Sequence, residues 1–109
     1  MEYLKDLEKV VSINSYTKNK NGVDKVGLIF DKWFEKLNFT KTIYQRDRIG
    51  DHRLYKSPTT KTSKHLLLLG HLDTVFPQGV FEEFSQDDVW VYGAGVCDMK
   101  GGNIVLLEA

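Results

Sequence analysis

Three side chains combine a type and a spacing suited to chemistry: His71, Asp73 and Asp98. The first two end the stretch LLLLGHLDTVFPQG (residues 66–79), where an aliphatic run gives way to an imidazole, a carboxylate and then a turn with Pro77. In a strand, residues i and i+2 share a face, so His71 and Asp73 can meet while Leu72 points away. A metal-binding histidine needs its second nitrogen fixed, and a carboxylate does this while raising the basicity of the ring. Strand ends are also where α/β proteins build their sites. The tripeptide alone leaves two readings open: a solvated strand end, or a metal ligand beside its supporting group.

Asp98 lies in a second cluster, GAGVCDMKGG (residues 93–102), where glycines on both sides leave the backbone free to turn tightly. G-x-G after a strand also suggests a dinucleotide loop. That fingerprint requires a third glycine three residues after the second. Asp98 occupies this position and would set an anion against a pyrophosphate, so the nucleotide reading fails.

The elements that must position these residues follow from hydrophobic periodicity. Leu4, Leu7, Val10 and Val11 recur at helical spacing. SINSYTKNKNG (residues 12–22) reads as a polar surface loop. Val26, Ile29, Phe30, Trp33, Phe34 and Leu37 mark the apolar face of a second helix, with Lys25, Asp31, Lys32, Glu35 and Lys36 away from it. The Phe30, Trp33, Phe34 stripe is a core face rather than a binding surface, and Asn38 is a suitable helix stop.

Residues 40–46 and 52–56 read as strands around a turn at Ile49, Gly50 and Asp51. Residues 57–64 form a loop with Pro58. The leucines of residues 66–69 suit a strand covered on both faces within a sheet. Asp87 and Asp88 make a turn into the strand VWVY, and Asn103 begins a further apolar element that breaks off at Ala109 without a stop signal. The expected architecture is α/β, with helices packed on a mixed β-sheet.

Composition narrows the function classes. With 15 basic and 15 acidic residues among 109, the net charge is zero, which gives no electrostatic basis for binding nucleic acid or an anionic membrane. Hydrophobic content of 41% suits a packed core rather than a disordered chain. The longest aliphatic run is far below the roughly 20 residues that span a bilayer. The opening MEYLKDLEKVV has no signal-like apolar region, and the single cysteine, Cys97, forms no internal disulfide. A cytoplasmic protein is expected.

Taken together, GHLDTV, Pro77 and YGAGVCDMKGGN strongly resemble the N-terminal signature of the dinuclear-zinc aminoacylase and carboxypeptidase superfamily. That superfamily includes glutamate carboxypeptidase-like enzymes, acetylornithine deacetylase and succinyl-diaminopimelate desuccinylase. The likeness is sharpest over residues 66–103. SINSYTKNKNGVDKVG, followed by an amphipathic helix, also looks like the start of the carboxypeptidase-like branch. The resemblance implies that the whole chain, residues 1–109, is the N-terminal part of a zinc-exopeptidase-like catalytic domain, with the remainder and a second domain absent.

The resemblance also implies roles. His71 matches a zinc ligand, Asp73 the catalytic carboxylate that orients that histidine, and Asp98 the aspartate that bridges two ions. The bond after this aspartate, here Asp98–Met99, is typically cis in the family. The implied reaction is metal-assisted hydrolysis of a small peptide or N-acyl amino acid, with zinc, cobalt or manganese compatible with the donors. The family's general base belongs to a Glu-Glu pair after the glycine corner. Glu82 and Glu83 precede it and read as surface residues in a spacer.

His52 and His65 read as ordinary structural or exposed residues, and Cys97 as a small buried side chain. Lys100 reads as either a contact for an anion or a solvated charge. With only part of the ligand set, this chain by itself is expected to be inactive, and its unfinished apolar element leaves surface for a homodimer. A non-catalytic binding or assembly domain that keeps the fold is the alternative.

Overall fold

The computed structural model describes residues 2–58 and 64–109. Among the described residues, three helices and two small antiparallel sheets make an α/β fold. Helix α1 (Glu2–Val11) buries Leu7, Val10 and Val11, the residues its periodicity marks. Helix α2 (Lys20–Lys36) starts at Asn19, whose side chain accepts a hydrogen bond from the Gly22 N–H at 3.2 Å.

Helix α2 ends as expected at Asn38, with φ at 62°. The Asn38 N–H donates to the Glu35 carbonyl and the Phe39 N–H to the Phe34 carbonyl, satisfying two carbonyls that the last turn leaves free. Phe34 and Phe39 then pack ring against ring, with centroids 5.2 Å apart, across this cap. Phe30 and Phe34 are buried and Trp33 is half-buried, so the aromatic stripe is core.

Strands β1 (Thr40–Tyr44) and β2 (His52–Lys56) pair antiparallel, with Thr40 opposite Lys56 and Tyr44 opposite His52. Tyr55 stacks on Phe34 at 4.1 Å and lays the hairpin on α2. Asp31, assigned from periodicity to the solvent side, is buried beneath the hairpin instead. There its Oδ1 accepts from Arg53 Nε at 3.0 Å and from the Tyr55 hydroxyl at 2.5 Å. Helical spacing registers only the apolar stripe and cannot show that a hairpin will cover part of the polar one.

The strand expected at residues 66–69 is not formed. Leu66, Leu67, Leu68 and Leu69 are 86%, 68%, 56% and 80% exposed, and no described strand pairs with them. An aliphatic run becomes a buried strand only when neighbours take its backbone groups on both edges. Here the leucines line an open cleft of about 1070 Å³ together with β2, His71 and Asp73. Of the loop expected at residues 57–64, residues 59–63 lie outside the described residues.

Strands β3 (Ser85–Gln86) and β4 (Val91–Tyr92) form a short hairpin turned by Asp87, whose Oδ1 accepts from the Val89 and Trp90 N–H groups. The glycine corner follows. Gly95 has φ at +81°, and a Cβ on Gly101 would lie 2.1 Å from the Val96 carbonyl oxygen, so both positions need glycine. The Asp98–Met99 bond is cis, as the resemblance implies.

Helix α3 (Lys100–Glu108), the apolar element expected after the corner, packs against α1 and puts Ile104 into the core with Leu7, Val10, Val11, Val26, Phe30 and Phe34. Among the described residues no helix is long and apolar enough to cross a membrane.

Candidate functional site

His71, Asp73 and Asp98 meet at the edge of the cleft, brought together by two separate chain segments. The first is residues 71–74, which lie against the loop that precedes α2. Thr74 N–H donates to the Ser15 carbonyl at 2.8 Å, and Thr17 N–H donates to the Thr74 carbonyl at 3.0 Å, forming a parallel bridge. Ser15 Oγ donates to the Leu72 carbonyl at 2.8 Å, and Asn14 Nδ2 donates to the Phe76 carbonyl at 3.0 Å. The polar loop is therefore a clamp rather than a solvated connection, and Ser15 is fully buried.

The second segment is the glycine corner, which carries Asp98. Lys100 anchors it. This lysine is neither solvated nor facing an anion. It is fully buried and donates to the Val10 and Ile13 carbonyls at 2.8 and 2.9 Å, at and just past the end of α1. Burial pushes its ammonium down to about 8. One turn on, Asn103 Nδ2 donates to the His71 carbonyl at 2.7 Å and ties α3 to the first segment. Helix α3 thus fixes the separation between the two halves of the site.

The imidazole lies between two carboxylates. His71 Nε2 is 2.8 Å from Asp98 Oδ1, and Nδ1 is 3.1 Å from both Asp73 Oδ1 and the Asp73 carbonyl. Two oxygen acceptors at Nδ1 favour a proton there, while Asp98 Oδ1 faces Nε2, which meets that carboxylate as an N–H donor in the imidazolium and as a lone pair once deprotonated. A lone pair and a carboxylate oxygen at that distance repel unless a proton or a metal cation lies between them. Partial burial pushes the His71 pKa down, but hydrogen bonding to Asp98 and to Asp73 outweighs this and holds it above the ordinary histidine value.

The donors fit a divalent metal in type: one imidazole nitrogen and one carboxylate oxygen that converge on the same point. They do not complete a site. Among the described residues no group of three or more histidine, cysteine, aspartate or glutamate side chains is placed to hold a metal. Asp98 is 86% exposed and His71 46%, so both face open solvent at the cleft edge.

Among the other sequence candidates, His52 and His65 line the same cleft as His71. Glu82, Glu83, His52 and His65 are exposed, as expected. Cys97 is exposed rather than buried, because the corner packs Gly95 and Lys100 inward and turns Cys97 and Asp98 out. Thr17 and Asn103 carry no local signal for a place in the site. Thr17 Oγ1 donates to Asp73 Oδ2 at 2.5 Å across 56 residues of sequence, a separation that leaves no local pattern.

No family model matches the chain. Over 109 residues it is 33% identical to carboxypeptidase G2 of Pseudomonas sp. (strain RS-16), covering 96% of this chain and 26% of that protein. It is also 36% identical to an uncharacterized metallohydrolase of Methanocaldococcus jannaschii, covering 100% of this chain and 28% of that protein. The chain therefore spans about a quarter of the length of the curated relatives it matches. Likeness over 96% and 100% of its length to a carboxypeptidase and a metallohydrolase, with the two signature segments joined at one cleft edge, is consistent with the aminoacylase/carboxypeptidase superfamily.

Proposed function

We propose that the chain contributes part of the metal centre of an amide hydrolase of the carboxypeptidase or deacylase type, acting on a small peptide or an N-acyl amino acid. The observation that carries this reading is the convergence of His71 Nε2 and Asp98 Oδ1 at 2.8 Å, with Asp73 held on the opposite ring nitrogen. His71 and Asp98 would hold the metal, with Asp98 the residue shared between two ions, zinc first and cobalt or manganese as substitutes. When bound, a divalent ion supplies Lewis acidity toward the scissile carbonyl. Asp73 keeps the proton on Nδ1, so that Nε2 stays a donor to the ion and the ring cannot turn away. The kinship with carboxypeptidase G2 and a metallohydrolase supports this chemistry.

Two donors from this chain make a weak site, so the isolated chain is expected to bind zinc loosely and to lack hydrolytic activity. The test is hydrolysis of N-acyl amino acids and dipeptides by the whole protein, before and after exhaustive chelation. Loss of activity on chelation and its return with zinc are expected, and His71→Ala should abolish that return. Activity unchanged by chelation would overturn the proposal in favour of a fold kept for binding or assembly.

A further inference from the structure

We propose that Thr17 is a positioning residue of this site, the outermost link of a chain running from Thr17 through Asp73 and His71 to Asp98. The inference rests on the reading of His71 as a metal donor and adds to it a residue from the loop before α2. Three observations carry it. The Thr17 hydroxyl donates to Asp73 Oδ2 at 2.5 Å, which leaves Oδ1 of the same carboxylate to face His71 Nδ1 at 3.1 Å. A hydrogen bond at one oxygen biases the rotation of the carboxylate, so the hydroxyl favours the arrangement in which Oδ1 meets the imidazole. The Thr17 hydroxyl also lies 3.3 Å from the Thr74 carbonyl, and the Thr17 N–H donates to that carbonyl at 3.0 Å, placing the residue from its own backbone.

The parallel bridge separates the two contributions of Thr17. Its backbone bonds survive any substitution that keeps the main chain, whereas the hydroxyl contact does not. Thr17→Val removes the hydroxyl at nearly constant volume, and Thr17→Ser retains it with a smaller side chain. Neither the core nor α3 depends on the Thr17 side chain, which is exposed.

The experiment is side-chain nitrogen NMR of His71 in the intact chain, assigned by comparison with His71→Ala. In wild type and in Thr17→Ser, His71 should keep a proton on Nδ1 hydrogen-bonded to Asp73. In Thr17→Val its two nitrogen signals should move toward those of the exposed His52 and His65. An unchanged His71 in Thr17→Val overturns the inference, and so does an equal change in Thr17→Ser, which would assign the effect to packing.

Asp73→Asn provides a second route if Thr17→Val folds poorly. It should move His71 by itself, and Thr17→Ala added to it should move His71 no further; an additional shift would overturn the inference. Zinc titration of the same samples keeps the two readings distinct. A wild-type His71 indifferent to zinc alongside a chelation-insensitive whole protein would sink the metal reading and leave the Thr17 result standing.

Discussion

Replacing Asp31 by asparagine should destabilise the chain more than any other polar substitution on α2, because it leaves a buried guanidinium without its partner. Asp31 is 7% exposed and the Arg53 side chain 6%, with Nε 3.0 Å from Oδ1. Removing one member of a buried ion pair costs about 3–5 kcal/mol, since the remaining charge stays desolvated. Part of this is returned here. Arg53 Nη1 also lies 3.9 Å from Asp24 Oδ1 and donates to the Asp51 carbonyl at 3.4 Å. A net loss of about 2–4 kcal/mol is therefore expected.

That loss is large beside the stability of a domain of this size, at about 0.05–0.15 kcal/mol per residue. Urea unfolding followed by far-UV circular dichroism reads it directly. With a slope of about 1–3 kcal/mol/M, the midpoint of Asp31→Asn should fall by about 1–2 M. Removing both charges in Asp31→Leu with Arg53→Met should recover most of the loss, because no buried charge is then left unpaired. A midpoint for Asp31→Asn within about 0.3 M of wild type would refute the assignment of Arg53 to Asp31.

Two adjacent glycines should respond with opposite signs. Gly101→Ala puts a Cβ 2.1 Å from the Val96 carbonyl oxygen and should cost about 1–3 kcal/mol by thermal unfolding. Gly102→Ala meets nothing nearer than Met99 Cε at 3.6 Å and should stabilise α3 by up to about 1 kcal/mol. Equal effects at the two positions would contradict the packing of the corner. Asp51 gives the pH dependence: its hydrogen bond to Lys20, with that from the Arg46 N–H, holds its carboxyl below the ordinary value of 3.8. A depressed carboxylate contributes stability above its ordinary value and loses it as pH falls through the folded one. The melting temperature of wild type should exceed that of Asp51→Asn at neutral pH and converge with it in acid, and a gap that persists in acid would count against the ion pair.

Much of the chain was legible locally. Helices α1 and α2 follow from the recurrence of Leu7, Val10 and Val11 and of Val26, Phe30 and Phe34, and the stop at Asn38 from a residue that tolerates positive φ. Strands β1 and β2 and the Asp87 turn were visible because period-two patterns and turn residues act over a few neighbours. His71, Asp73 and Asp98 were legible as a set only through the pairing of the two motifs; neither motif carries a role by itself.

Tertiary structure decided what distant segments do to one another. Leu66, Leu67, Leu68 and Leu69 have the composition of a covered strand, yet a strand needs partners, and among the described residues none pairs with them. Asp31 reads as a solvated charge, and Lys100 as a solvated charge or an anion contact, because composition cannot show which helix end or hairpin will close over them. Thr17 looked like one polar residue in a loop, and its place beside Asp73 comes from a backbone bridge between segments more than fifty residues apart. The sequence by itself determined which residues could bind and turn, since those properties belong to side chains and their near neighbours. Only the fold decided which of them touch, because contact depends on how the whole chain packs.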